Sequence, residues 1–573
     1  MKLLRFTLAC AALLLVLVGP AQADHGSNDD ASPNMLHVAN LPPAPEFLVG
    51  PPTETRVNSD LAFHGAGKTR GGPHDLLAQG NYDGFRLVDI SDPSKPKQVS
   101  VVECRANQGD LSFYEAKNRL LLIQSIDVPQ TSSDCATARD QPVATGINPV
   151  TGLPGRFFVP GFEGLRIFDV TDPTAPVHIA SVPTACGSHT HTTIPDERNQ
   201  QGVVYVSSYP TGASVTPGNS TFGGPRCVPP HGRISIVIIP DDSPETPIVK
   251  DQFLDVDTLP FRGTLSSGGT GAVGCHDVTA YRETRSANPA QNGRERFQVA
   301  GAACLEEGQL WDITDPANPT TLGQHSHIRN PFISGQNGLF HTASFSNDGE
   351  VVLFTDEFAG GGGSGCKGSQ DTRGNVWFYK NVPPGAPVPV YGRYMIPRVQ
   401  PTNEICSLHN GNVVTVGDES AGEFGVSSLY QGGTTVFDFT GVAQNPELTL
   451  PAALPAPVPA PVPPLVAREV AFFDAKNGPP PPPTSLDDVW SSYWYNDFVY
   501  SSSGRVQAGR PGNRGLDVYM LIGRNGRLVD RDTGLPTVTT QQQANRPNVS
   551  QFKGRKVRYM NPQTQDRNVS HGQ

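Results

Sequence analysis

The sequence predicts an all-β fold, a seven-bladed β-propeller with four-stranded blades. Three observations predict it. A strand-and-turn phrase recurs as GFRLVDISDPSKP at 84–96, GLRIFDVTDPTAP at 164–176 and GQLWDITDPANP at 308–319, with a looser GTTVFDFT at 433–440. The composition suits short strands and tight turns, since 60 of the 573 residues are Gly, 55 are Pro and only 17% are charged. The chain also divides into seven units of about 60–80 residues, each with three or four short strands, the size of a propeller blade.

Each copy of the phrase opens on a Gly and alternates apolar and polar residues around an Asp, the pattern of a half-buried strand. Each full copy then runs into Asp-Pro and a second Pro. Asp bonds the backbone at a turn and Pro fixes φ, so the strand must stop there.

Residues 1–23 read as a signal peptide. Lys2 and Arg5 give a basic start, residues 8–18 an apolar stretch, and Ala21-Gln22-Ala23 a small-residue cleavage site. The apolar run is short for a bilayer span, no later one could anchor the chain, and the mature protein is expected to be secreted from near Asp24. Residues 24–42 read as an extended segment and 43–523 as the propeller, with a strand from within 46–57 completing the seventh blade. The Ala-Pro-Val-Pro text at 451–464 and the Pro run at 479–483 read as insertions outside any core. The polar, Gln/Asn-rich tail at 524–573 reads as disordered. A net charge of −11, with no concentration of Lys and Arg, argues against a nucleic-acid partner.

Eight cysteines follow the leader: Cys104, Cys135, Cys186, Cys227, Cys275, Cys304, Cys366 and Cys406. An even number in an exported chain without Cys-x-x-Cys reads as disulfides rather than a thiolate metal site. Connectivity is not readable from the sequence. Pairing neighbours in order (104–135, 186–227, 275–304, 366–406) would staple single repeats or link adjoining ones.

Chemistry is expected where each unit begins. In a propeller the first strand of each blade lines the central channel, so equivalent residues converge. The unit starts give Asp60, Asp110, His189 with His191, His276, His341, His409, and then Trp494 or Tyr493. Neutral imidazole is a common ligand for Zn, Cu, Fe and Ni, and the five histidines are the expected ligands of a transition ion, Cu, Fe, Zn or Mn. Period-two alternation puts His189 and His191 on one face, and sets Asp277 opposite His276. Glu357, ending the second strand of the fifth unit, is the candidate catalytic acid/base or outer acceptor for an imidazole N–H. The competing expectation is a wet channel whose histidines hold only backbone groups and water. His25, His37 and His571 fall in expected flexible ends; His64, His74, His231, His325 and His327 read as loop or turn residues. The glycines at 360–363 lack the Lys-Ser/Thr of a phosphate cradle. Trp490, Tyr493, Trp494 and Tyr495 read as core rather than as a ring-binding cleft.

The copies Leu87-Val-Asp-Ile-Ser, Ile167-Phe-Asp-Val-Thr and Leu310-Trp-Asp-Ile-Thr resemble the LVIVD-repeat family of exported bacterial β-propellers. The segments beginning Cys186-Gly-Ser-His, Gly274-Cys-His-Asp, His341-Thr-Ala-Ser and His409-Asn-Gly-Asn are similar to members of that group, over residues 35–525. The resemblance implies the fold and export; it implies no activity. A more distant similarity is to the selenium-binding protein/methanethiol oxidase propellers, whose channel histidines are associated with copper. Phe354-Thr-Asp-Glu357 loosely resembles their Ser-Thr-Glu-Trp segment, and no Cys-rich selenium motif is present. Carotenoid oxygenases hold iron with propeller histidines but share no sequence match. Two functions are thus expected in competition. One is a transition-metal propeller acting as an oxidoreductase on a small molecule. The other is a non-catalytic extracellular scaffold engaging a protein or glycan.

Overall fold

In a computed structural model the chain is an all-β propeller. The structure describes residues 30–48, 58–65, 75–106, 108–131, 135, 143–147, 154–158, 162–196, 198–209, 231, 233–252, 274–283, 296–304, 307–321, 327–329, 338–346, 351–358, 373–382, 386–398, 400, 404–414, 422–443, 465–475, 488–495, 498–504, 514–521, 529–530, 535–536 and 559–560. The expected leader, the Pro-rich insertions, the 360–363 glycines and most of the tail lie outside these residues. So do His25, His74, His325 and His571.

Among the described residues, seven antiparallel sheets of four or more strands follow one another. Their innermost strands are Asn58–His64, Gln108–Ala116, Thr190–Asp196, Val278–Glu283, Phe340–Phe345, Gly411–Val413 and Val489–Tyr495. Each innermost strand packs against that of the next sheet, and Val489–Tyr495 packs against Asn58–His64. That last contact closes the ring.

The repeated phrase does what its residues dictate. Gly84 and Gly164 adopt φ of 150° and 135°, and a side chain on either would run into the carbonyl of Val102 or Val182 on the neighbouring strand. At the strand ends, Asp89, Asp169, Asp312 and Asp438 each accept, at 2.9 Å, the backbone N–H two residues on. Asp92, Asp172 and Asp315 then repeat that bond at 3.0–3.1 Å, so each full copy makes two successive side-chain-bonded turns.

The expectation of half-buried strands fails. Gly84–Asp89 and Glu307–Asp312 are buried at every position but the last. Sheets standing face to face around a ring bury both sides, so the apolar core is a set of layers between neighbours. Ala62, Leu76 and Phe85 of the first sheet meet Leu111, Phe113 and Phe168 of the second. Leu61, Phe63 and Val88 of the first meet Tyr493, Tyr500 and Val518 of the seventh. The polar positions of the phrase find polar partners inside. Arg86 donates to Gln79 Oε1 at 2.7 Å and to the Pro42 carbonyl at 2.6 Å; Arg166 donates to the Arg105 carbonyl at 2.8 Å. Each guanidinium holds the linker that leads into its own sheet.

Two boundaries differ from expectation. Arg468–Asp474 is not part of the seventh unit but pairs outside Thr434–Asp438 in the sixth sheet. The seventh sheet is completed by Met35–Leu41, pairing with Gly515–Leu521, rather than by a strand within 46–57. Residues Pro45–Leu48 instead form a 3-10 turn. The polar neighbours of MLHVANL resemble a free end and mask its strand alternation. His37, expected there to be mobile, holds Asp517 at 2.6 Å. Of the tail, the short strands Val529–Asp530, Leu535–Pro536 and Tyr559–Met560 are described, and the last pairs with Val278–Glu283 at the edge of the fourth sheet, against the expectation of a wholly disordered tail.

Disulfides join Cys104 to Cys135 and Cys275 to Cys304. Cys186 and Cys406 are also disulfide-bonded. No described helix is long and apolar enough to cross a membrane.

Met35 is fully buried among Val414, Phe424, Phe473, Trp494 and Leu521. Truncating it empties a site shared by two sheets. Met35→Ala should cost about 2–5 kcal/mol and lower the melting temperature in calorimetry; an unchanged transition would mean that the strand does not latch the ring.

Candidate metal centre

Register breaks recur at the start of the innermost strands: between Asn58 and Leu61, Gln108 and Leu111, Phe340 and Ala343, and Val489 and Ser491. Such a bulge suspends alternation and re-aims side chains. Aligned on these breaks, the seven starts give two tiers around the channel. The upper is Ser59, Gly109, His189, His276, His341, His409 and Trp490. The lower is Asp60, Asp110, Thr190, Asp277, Thr342, Asn410 and Ser491.

In the upper tier four of the five predicted histidines meet. Ring centroids lie 4.3 Å apart for His189 and His276, 3.8 Å for His276 and His341, and 4.0 Å for His341 and His409. Trp490 stands 4.8 Å beyond His409. Glu357 joins them, with one ligand atom each of His276, His341 and Glu357 lying within 4.8 Å of one another.

Hydrogen bonding assigns the imidazole protons. His189 Nδ1 faces the Asp127 carboxylate at 3.2 Å and must donate, leaving a lone pair on Nε2. Gln108 Nε2 at 3.0 Å and Tyr209 Oη at 3.2 Å also point at that nitrogen. His276 Nε2 lies 2.8 Å from the same nitrogen. His276 Nδ1 is buried, and no hydrogen bond to it is made. The Thr342 hydroxyl donates to Asn410 Oδ1, so it accepts from His341 Nδ1 at 2.8 Å. The lone pair of His341 is then on Nε2, also buried and without a hydrogen bond, 3.8 Å from Glu357 Oε2. His409 Nδ1 donates to the Trp490 carbonyl at 2.5 Å, leaving its Nε2 lone pair 3.6 Å from Glu357 Oε1. Tyr430 Oη donates to that same Glu357 oxygen.

Three imidazoles and a carboxylate thus crowd one buried space. Proton uptake by the rings is opposed. Burial and the neighbouring histidines hold His276 and His341 well below the usual imidazole value. Burial lowers His409 to about 3. Burial and the adjacent Glu357 raise the Tyr430 hydroxyl, keeping it a donor. Neutral imidazoles with one carboxylate make a donor set suited to Zn, Fe, Cu or Mn. Ligand atoms about 2.0–2.2 Å from an ion would need an inward movement on the order of 1 Å here.

His191 is not in this group. His189 precedes the strand Thr190–Asp196, so alternation does not put the two rings side by side. His191 reaches between sheets, with Nε2 2.6 Å from Ser112 Oγ and Nδ1 2.8 Å from Ser125 Oγ. Both nitrogens are occupied, and burial lowers the ring to about 3. The seventh unit contributes Trp490 rather than Trp494 or Tyr493: Trp494 is packed between the sixth and seventh sheets, and Tyr493 donates to Asp60 at 2.6 Å. Tyr495 is core, as expected. Among the other histidines, His64 lies in the first inner strand rather than a loop, and the backbone of His327 is in the short strand His327–Arg329. His231 is buried, 3.1 Å from Ser208 Oγ.

Asp127, Tyr209 and Tyr430 were missed, as was Tyr82, which lies 6.2 Å from Trp490 and donates to Gln108 Oε1 at 3.0 Å. A shared signal could have found them. Like Glu357, each sits at or just beyond the second strand of its sheet, and reading every such position would have gathered them.

No protein-family model matches the chain, and no curated protein matches it. Among solved structures, the β-propeller domain of Myceliophteria thermophila Cps50 (Swd1) is 9% identical, covering 82% of this chain and 100% of its own, with a TM-score of 0.36. A protein from Lactobacillus plantarum is 11% identical over 78% of this chain and 89% of its own, with a TM-score of 0.36. A protein from Desulfotomaculum acetoxidans is 11% identical over 67% and 83%, with a TM-score of 0.34. Likenesses this weak carry no argument about the present chain.

The lowered imidazoles fix the sign of the acid response. Each binds its proton more readily unfolded, so stability is present above pH about 6.5 and is lost as pH falls towards the folded value. Denaturant melts of metal-stripped protein should show lower stability at pH 5 than at pH 7, with a shallower slope for His409→Gln. Constant stability across that interval would contradict the assignment.

Proposed function

We propose that the chain is an exported, seven-bladed propeller of the LVIVD-repeat kind that holds one transition-metal ion at the top of its channel. His276, His341 and Glu357 would be the central ligands, with His409 and His189 beside them. The observation that carries this reading is that one ligand atom each of the buried His276, His341 and Glu357 lies within 4.8 Å of the others, while His341 Nε2 has no hydrogen-bond partner. A cation satisfies all three at once, which neither a core histidine nor a backbone-bonded one would require.

A bound ion there would supply Lewis-acid or redox chemistry to a small molecule in an open coordination position. The chain's own residues define the rest. Asp127 fixes the His189 proton on Nδ1, leaving the Nε2 lone pair turned towards His276. Tyr430 orients Glu357. Tyr82, Tyr209 and the half-buried Trp490 wall the approach. A metal-dependent oxidoreductase is the activity this set best supports. Disulfides support the extracytoplasmic address.

Metal analysis of protein purified from its native compartment should give about one equivalent of Cu, Fe, Zn or Mn. His276→Ala and His341→Ala should each reduce it at least about tenfold, with His191→Ala sparing it. A metal-free protein, or metal retained by both variants, would remove the reading and leave a binding scaffold.

A further inference from the structure

Around the mouth of the channel the side chains close into a collar. The histidine arc ends at His189 on one side and, past His409, at Trp490 on the other. Tyr82 and Gln108 complete the circle. The Tyr82 ring lies 6.2 Å from Trp490, its hydroxyl donates to Gln108 Oε1 at 3.0 Å, and Gln108 Nε2 reaches His189 Nε2 at 3.0 Å.

Burial divides this collar into a floor and a rim. His276, His341, His409 and Glu357 are at most 6% exposed and form the floor. Tyr82, Tyr209 and Trp490 are half-buried, so part of each ring stays open. Tyr209 stands 5.0 Å from His189 and 5.9 Å from His276, whereas Trp490 stands 4.8 Å from His409. Aromatic surface therefore flanks the floor from two separate parts of the circle, and such surface favours another ring, offset or edge-on.

Charge and hydrogen bonding narrow the ligand further. Asp127 faces His189 at 3.2 Å and Glu357 lies in the floor, 3.6 Å from His409 Nε2 and 3.8 Å from His341 Nε2. Two carboxylates at the seat oppose an anion, and an ion on the floor would oppose a cation. The floor is also rich in acceptors, since His341 Nε2 has no hydrogen-bond partner and stands beside the Glu357 carboxylate. A hydroxyl suits it in either state, as a donor to these acceptors or as an oxygen ligand to an ion.

We propose that the collar seats an uncharged, single-ring phenol, its ring against Trp490, Tyr82 and Tyr209 and its hydroxyl turned to the floor at His341 and Glu357. This names the substrate class of the metal centre and rests on that reading for what the hydroxyl meets, while the ring contacts need no ion.

The test is calorimetric titration of the full chain, metal-loaded and chelator-stripped, with phenol, benzoate and cyclohexanol. Phenol should bind at about one equivalent, at least about tenfold tighter than benzoate or cyclohexanol. Trp490→Leu and Tyr82→Leu should each weaken phenol about fivefold at an unchanged melting temperature, and Trp490→Phe, which keeps a ring, should restore most of the affinity. Phenol bound by protein that holds no metal would support the seat even as the metal reading fell. Metal held without phenol binding, benzoate bound as tightly as phenol, or wild-type affinity in folded Trp490→Leu overturns the proposal.

Discussion

Ring closure is the constraint on which everything else depends. His189 and His409 are 220 residues apart in sequence, and no local structure brings them together. They meet because seven sheets stand side by side around an axis and the last packs on the first. The closure is made by packing and by pairing: Phe63 stacks on Tyr495 across the first and seventh sheets at 4.7 Å, and Met35–Leu41 supplies the seventh sheet's outer strand. Arg86, fully inside, then grips the Leu41 and Pro42 carbonyls where the chain crosses from one sheet to the other. Burying a guanidinium lowers it to about 10, still charged at neutral pH. The junction is therefore held by a charged donor with three acceptors.

Protein interiors normally match donors to acceptors, and exceptions mark strain, chemistry or an unseen ion. In the imidazole tier the exception is His341 Nε2, which stands 3.8 Å from the Glu357 carboxylate. Between the sheets, charged and hydroxyl groups pair: Glu469 and Asp474 share Arg398 at 2.9 and 3.1 Å, and Ser492, Ser501 and Thr434 bond one another within 2.9 Å. Buried polar atoms without a hydrogen-bond partner occur there too, as at Gln124 Oε1 and Trp494 Nε1, but not beside a cluster of imidazoles.

The propeller was readable because turn chemistry is local: Asp-x-Ser/Thr and Asp-Pro specify the same bonds wherever they occur. The histidines were readable because they open successive units. What failed was phase. Asp60 and Asp110 looked equivalent to His276, whereas the register breaks align them with Asp277, one residue later. A bulge leaves no mark in composition, and a slip of one residue exchanges the two tiers. His191 was misassigned for a related reason, since period-two logic applies inside a strand and His189 stands before one. Second-strand ends such as Tyr209 and Tyr430 escaped notice because an aromatic after a strand is ordinarily packing.

The outer strand of the last sheet comes from the beginning of the chain, and His37 grips Asp517 across 480 residues. A polypeptide emerging from its amino terminus cannot complete this architecture in order of synthesis. Six sheets can pair within themselves as they appear, but the circle stays open until residue 521 is in place and the amino-terminal strand returns to it. Loop-closure entropy grows only slowly with length, so the cost falls on time more than on stability. Until then the edge of Gly515–Leu521 has no partner, and a strand of another molecule could take the seat.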